Sequence, residues 1–114
     1  MVQQGSSPSI TVLSNLYTVS TYLQAFRNKY YPSSKIKITS GWRSSSYNAK
    51  TKGAAPKSQH IQGKALDFVI TNQNMSKVWQ NFKKFWKYGY MVSYSGGWIH
   101  GDIRNIGVGI TNDK

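Results

Sequence analysis

Two histidines and three aspartates are the only imidazoles and carboxylate side chains in this 114-residue chain, and four of the five cluster. His60 and Asp67 share the stretch Ser58-Gln59-His60-Ile61-Gln62-Gly63-Lys64-Ala65-Leu66-Asp67-Phe68. His100 and Asp102 share Trp98-Ile99-His100-Gly101-Asp102. Imidazole and carboxylate both bind zinc, and a catalytic zinc typically takes three protein ligands and leaves one position open. His60, Asp67 and His100 meet that count. Gly63 lets the backbone turn between the first two, so that a loop histidine and a strand aspartate can converge. A cation so held brings the pKa of a bound water down to about 7, and a base must then take its proton. Glutamate is absent and Asp113 lies in the C-terminal tail, so Asp102 is the carboxylate left for that task. It can equally orient a histidine from behind. Plainer readings stand beside these: satisfied histidines, a turn-capping Asp67, an Asp102 paired with Arg104.

The elements that must position these groups are legible in the spacing. Val12, Leu16, Val19, Leu23, Phe26 and Tyr30 trace one face of a helix, which Pro32 ends. Ile36-Lys37-Ile38-Thr39 alternates as a short strand. A long polar stretch from Ser40 to Gln59 follows; a loop of that length in a small domain is more often functional than idle. Ala65–Ile70 reads as a second strand, with Leu66, Phe68 and Ile70 on one face and Asp67 and Val69 on the other. Asn72 or Asn74 can cap a second helix whose apolar face is Met75, Val78, Trp79, Phe82, Phe85 and Trp86. Strands at Tyr90–Tyr94 and Trp98–Ile103 are joined by Ser95-Gly96-Gly97, a hairpin signal. His100 and Asp102 then share a strand face. The expected fold is α+β: a small, mainly antiparallel sheet with two packed helices. Residues 1–114 form one domain in this reading, with tails at 1–10 and 107–114. Trp79 and Trp86 belong to the core, while Trp42 and Trp98 flank the site and can line a cleft.

The bulk composition narrows the classes. Hydrophobic residues make up 39% and aromatics 14%, too apolar for a disordered chain. Cysteine is absent, which excludes disulfides and thiolate metal sites. No apolar run nears the ~20 residues that span a bilayer. The start, MVQQGSSPSI, lacks a basic segment leading an apolar one, so no secretory signal is expected and any action outside the cytoplasm needs another route of release. Fifteen Lys and Arg against three acids give a net charge of +12, which favours polyanionic partners. The basic residues are dispersed, a pattern of general adhesion rather than base readout, so no specific nucleic acid is expected.

Three blocks resemble one family. The stretch Ser58 to Asp67 is similar to the S-x-H-x-x-G-x-A-x-D signature of the zinc D-alanyl-D-alanine carboxypeptidases and endopeptidases, whose fold is shared with hedgehog. Ile38-Thr39-Ser40-Gly41-Trp42-Arg43-Ser44, followed by Tyr47-Asn48, resembles the family's I-T-S-G-[aromatic]-R block. Trp98-Ile99-His100-Gly101-Asp102-Ile103-Arg104 resembles the [aromatic]-V-H-x-D-x-R ending of its small bacterial and phage members. The resemblance implies a hedgehog/D,D-peptidase-like fold with Zn2+ held by His60, Asp67 and His100. It further implies Arg43 as substrate anchor and Ser58 as a contact to the substrate or the metal-site loop; Trp98, from its position beside the site, is expected to contact substrate as well. Many relatives carry an acid three residues before the last histidine as general base. Here that position is Gly97, and Asp102 is offered instead. The implied activity is hydrolysis of an amide bond in the stem peptide of peptidoglycan. The charge separately points to adhesion to anionic wall polymers, and a monomer is expected. A phage lysis enzyme or virion-associated wall hydrolase fits the small size and the charge. The alternative is a non-catalytic zinc-binding wall or phage structural module.

Overall fold

A computed structural model describes residues 8–44 and 59–104. Helix α1 spans Ile10–Tyr30 and starts at Ser9, whose hydroxyl accepts the Val12 N–H at 3.2 Å, a standard N-cap arrangement. The helix thus takes in Ile10, the last residue of the segment expected to be a tail. The helix closes where the Tyr31 N–H donates to the Arg27 carbonyl, one residue before Pro32. Its buried residues, Leu16, Val19, Leu23 and Phe26, belong to the apolar face that the spacing marks.

Strand β1 is Ile36–Ser40 and β2 is Ala65–Ile70. Helix α2, Met75–Phe85, is capped by Asn74, whose side chain accepts from the Ser76 and Lys77 N–H groups. Strands β3, Met91–Ser93, and β4, Ile99–Asp102, close the chain of elements. They are shorter than the sequence pattern suggests, because the hairpin bonds between Tyr94 and Trp98 and between Gly97 and Tyr94 belong to the turn. The sheet order is β1-β2-β4-β3 with every pairing antiparallel. The fold is therefore the small α+β architecture expected.

Alternation divides the labour between the two faces of the sheet. Leu66, Phe68, Ile70, Ile99 and Met91 pack with both helices into one core. Its centre is Phe82, stacked on Trp86 at 4.9 Å and edge-on to Phe26 and Phe68. Such aromatic pairs contribute about 1 kcal/mol each beyond the area they bury. The helices occupy one side, so Asp67, His100 and Asp102 project from the other. Asp67 lies directly opposite His100 in the β2–β4 register. Nothing in the sequence announces the irregularity in β1, where Ile38 faces Phe68 but Ser40 faces Asp67. The extra residue re-aims the strand and brings the Ser40–Arg43 segment alongside Asp67, as bulges next to functional sites commonly do.

Candidate metal centre

Three separate segments deliver His60, Asp67 and His100 to one point. One ligand atom from each lies within 4.8 Å of the others, and all three residues are buried. His60 comes from the turn before β2. That turn relies on Gly63 with φ of 72°, a left-handed conformation that side chains resist. It also rests on α1: a β-carbon at Gly63 would meet the Val12 carbonyl at 2.6 Å, and Asn15 donates to the Gln62 carbonyl.

The orientation of both rings is fixed from outside. The His60 Nδ1–H donates to the Gly41 carbonyl at 2.7 Å, so Nε2 presents its lone pair to Asp67 Oδ1 at 3.2 Å. His100 is turned the other way: Nε2 bonds Asp102 Oδ2 at 2.8 Å, which leaves Nδ1 facing Asp67 Oδ1 at 2.9 Å. Two nitrogen lone pairs and a carboxylate oxygen converge, and only a positive charge between them satisfies all three. This donor set suits zinc, and the outward partners of the two rings are the kind that fix tautomer and angle at metal-bound histidines.

Electrostatics agree with that geometry. Burial opposes ionisation of Asp67, yet the hydrogen bonds and charge of His100 and His60 bring its pKa down from 3.8 to about 2. Burial likewise disfavours charge on His100, but bonding to Asp102 and Asp67 and their negative charge raises its pKa above the ordinary value. Burial works against the charged form of Asp102 too; bonding to His100 and Arg104 outweighs it and lowers the pKa.

Asp102 is 0% exposed. Oδ1 accepts from the Tyr90 N–H at 2.9 Å, and Arg104 donates to both oxygens, at 2.7 Å in its shortest bond. The carboxylate stands behind His100, on the side away from Asp67, with its acceptor positions filled. That placement suits orienting His100; it does not suit collecting a proton from a water in an open site. The pairing with Arg104 is present as well, so three residues, His100, Tyr90 and Arg104, hold the Asp102 carboxylate.

Arg43 lies beside the cluster, its Nη2 3.9 Å from Asp67 Oδ2 and its guanidinium donating to Ser40 Oγ. Trp98 stacks on Tyr94 and is 36% exposed. Ser58, Tyr47 and Asn48 lie outside the described residues. Trp86 is in the core as expected, while Trp42 departs from expectation. Trp42 is buried, with its indole N–H donating to the Ile61 carbonyl, so it pins the loop that carries His60 instead of lining a cleft. Trp79 packs against the core as expected but is only partly buried, and it also lines a surface cleft.

Two residues gain importance that the sequence reading did not give them. Tyr94 falls on the metal face by alternation from Val92, which sits opposite His100. Burial raises its pKa, the charge of Asp67 raises it further, and Arg43 pulls the other way, so the group is a neutral phenol at physiological pH. Gly89 lies under Asp102, where a β-carbon would run into the carboxylate. Strand alternation can find Tyr94; no local signal marks Gly89.

A family model described as Peptidase M15 matches residues 2–102. No curated protein matches the chain.

Proposed function

Because the chain belongs to the Peptidase M15 family, and is thereby a zinc metallopeptidase for substrates of the peptidoglycan type, we propose that it cleaves an amide bond in the peptidoglycan stem peptide. The observation that carries this reading is the convergence of His60, Asp67 and His100 with the outer nitrogen of each ring held in place.

His60 Nε2, Asp67 Oδ1 and His100 Nδ1 would hold the ion. The chemistry that zinc supplies when bound is Lewis acidity, which polarises a carbonyl and makes water a usable nucleophile near neutral pH. The chain's own groups do the rest. Asp102 keeps His100 in the tautomer whose Nδ1 faces the site, and we assign it that role rather than the proton-accepting one. Arg43 presents a planar pair of donors to a substrate carbonyl or carboxylate. Tyr94, a protonated phenol on the same face, is placed to donate a hydrogen bond to the substrate. The net charge of +12 concentrates the protein on a wall rich in phosphate and carboxylate, so residence there falls with salt. We read residues 1–114 as a single catalytic unit, working as a monomer, and a phage or bacterial wall-lytic role fits these properties. Among the described residues no helix is long and apolar enough to cross a membrane.

Digestion of purified peptidoglycan tests the reading. The zinc-loaded protein is expected to release new amino termini or free D-alanine, and His60→Ala none. Full metal loading with no product would overturn the proposed reaction and favour the non-catalytic module. Identification of the new terminus separates cleavage at D-alanine from cleavage between L-alanine and D-glutamate.

A further inference from the structure

Between the first turns of α2 and the β3–β4 hairpin lies an open cleft of about 450 Å³. It includes Tyr94 and Trp98 from the hairpin, but none of His60, Asp67, His100, Asp102 or Arg43. In a chain carrying fifteen Lys and Arg, none of the described residues lining this cleft is charged. It is therefore not built for the phosphates and carboxylates that the rest of the surface attracts. Its lining is of two kinds: the hydroxyls and amide of Ser76, Gln80 and Ser93, and the rings of Trp79, Tyr94 and Trp98.

The rings are arranged for a flat ligand. Tyr94 and Trp98 stack at 5.3 Å with 25° between planes, yet remain 40% and 36% exposed. Gly96 lets the indole lie tightly against the turn, since a β-carbon there would run into it. The pair is thus a supported apolar plate left open to solvent. Trp79 carries Lys83 over one ring face at 5.5 Å and acts as a wall. A pyranose offers an apolar C–H face for stacking and a rim of hydroxyl and acetamido groups for hydrogen bonds, which matches both kinds of lining. An added peptide strand is less well served, because the edge strand β3 has only three residues to pair with.

We infer that this cleft is a subsite for an uncharged amino-sugar chain, with Tyr94 and Trp98 as the stacking plate and Ser76, Gln80 and Ser93 as hydrogen-bonding partners. The source of that chain rests on the proposed function: it is the glycan strand that bears the stem peptide. The subsite itself needs no metal.

Titration of the full-length protein with the β-1,4 trisaccharide of N-acetylglucosamine tests it, followed by tryptophan fluorescence and amide chemical shifts. Binding is expected to saturate, to survive chelation of zinc, and to weaken on the order of tenfold in Trp98→Ala. Gln80 is exposed on α2, so Gln80→Ala folds even where Trp98→Ala disturbs the hairpin, and weakening of several-fold is expected there too. Absence of saturable binding, or binding indifferent to both substitutions, overturns the inference. So does a sugar-free stem peptide that displaces the trisaccharide from the cleft. Hydrolysis of the same sugar-free peptide is measured alongside. Hydrolysis without sugar binding removes the subsite and leaves the reaction; sugar binding without hydrolysis does the reverse.

Discussion

At the scale of single residues, the histidines are defined as much by their outer nitrogens as by the ones that face the site. His60 leans on a main-chain carbonyl and His100 on the fully buried Asp102. Asp102→Asn separates the two roles that the sequence leaves open to this carboxylate. As the group that orients His100, its loss lowers zinc affinity by about 10- to 100-fold and activity recovers when zinc is raised. As a proton acceptor, its loss abolishes activity at unchanged zinc affinity. Competition with a chromophoric chelator, run beside digestion, distinguishes them, and the first result is expected. The motif Trp98-Ile99-His100-Gly101-Asp102 shows that the residues belong together. It does not show that the carboxylate lies behind the ring, because that depends on the groups that hold the carboxylate there, here the Tyr90 N–H and Arg104.

Elements place the ligands through two glycine-dependent turns with different surroundings. Gly63 and Gly97 both have positive φ, at 72° and 97°. A β-carbon at Gly63 meets the α1 backbone, whereas one at Gly97 meets nothing within 4 Å. Gly63→Ala is therefore expected to cost well over the ~1 kcal/mol of backbone strain alone and to weaken zinc binding, while Gly97→Ala costs about that strain and leaves zinc affinity intact. Thermal denaturation with a zinc titration on each variant checks the contrast. Gly97 occupies the position at which many relatives carry an acid. Its left-handed backbone belongs to a tight hairpin, and the chain has placed a phenol, Tyr94, on the metal face nearby. Helix extents and β2 were legible because apolar spacing is a local property. The bulge at Ser40 was not, since it exists only relative to Asp67 on a strand 25 or more positions away.

The whole molecule couples protons, metal and stability. His100 has a pKa raised above 6.5, so in the metal-free protein its stabilising contribution is fully present below 6.5 and is lost as pH climbs through the raised value. Zinc needs the neutral imidazole, so its binding strengthens over that same rise. The gap in melting temperature between zinc-loaded and chelated protein is accordingly expected to widen from pH 6 upward, and calorimetry in both states measures it. At a zinc concentration 1,000 times the Kd the gain is about 4 kcal/mol, or roughly 15–30 °C for a domain near this size. On the acid side, Asp67 contributes on the order of 2 kcal/mol above its ordinary value of 3.8, and this is lost as pH falls toward about 2. A gap that shrinks with rising pH would contradict this coupling.

The helix faces, the central strand, the hairpin and the scarcity that made His60, Asp67, His100 and Asp102 conspicuous can all be read along the chain. Each of these is a matter of residue type at a fixed local interval, which side-chain periodicity and composition encode directly. It takes the folded chain to reveal that Asp102 is sealed behind His100, that Trp42 pins a loop while Trp79 stands at a cleft, and that Arg43 reaches Asp67. Those outcomes depend on which distant surfaces bury one another, and contacts across the chain leave no period in it to read.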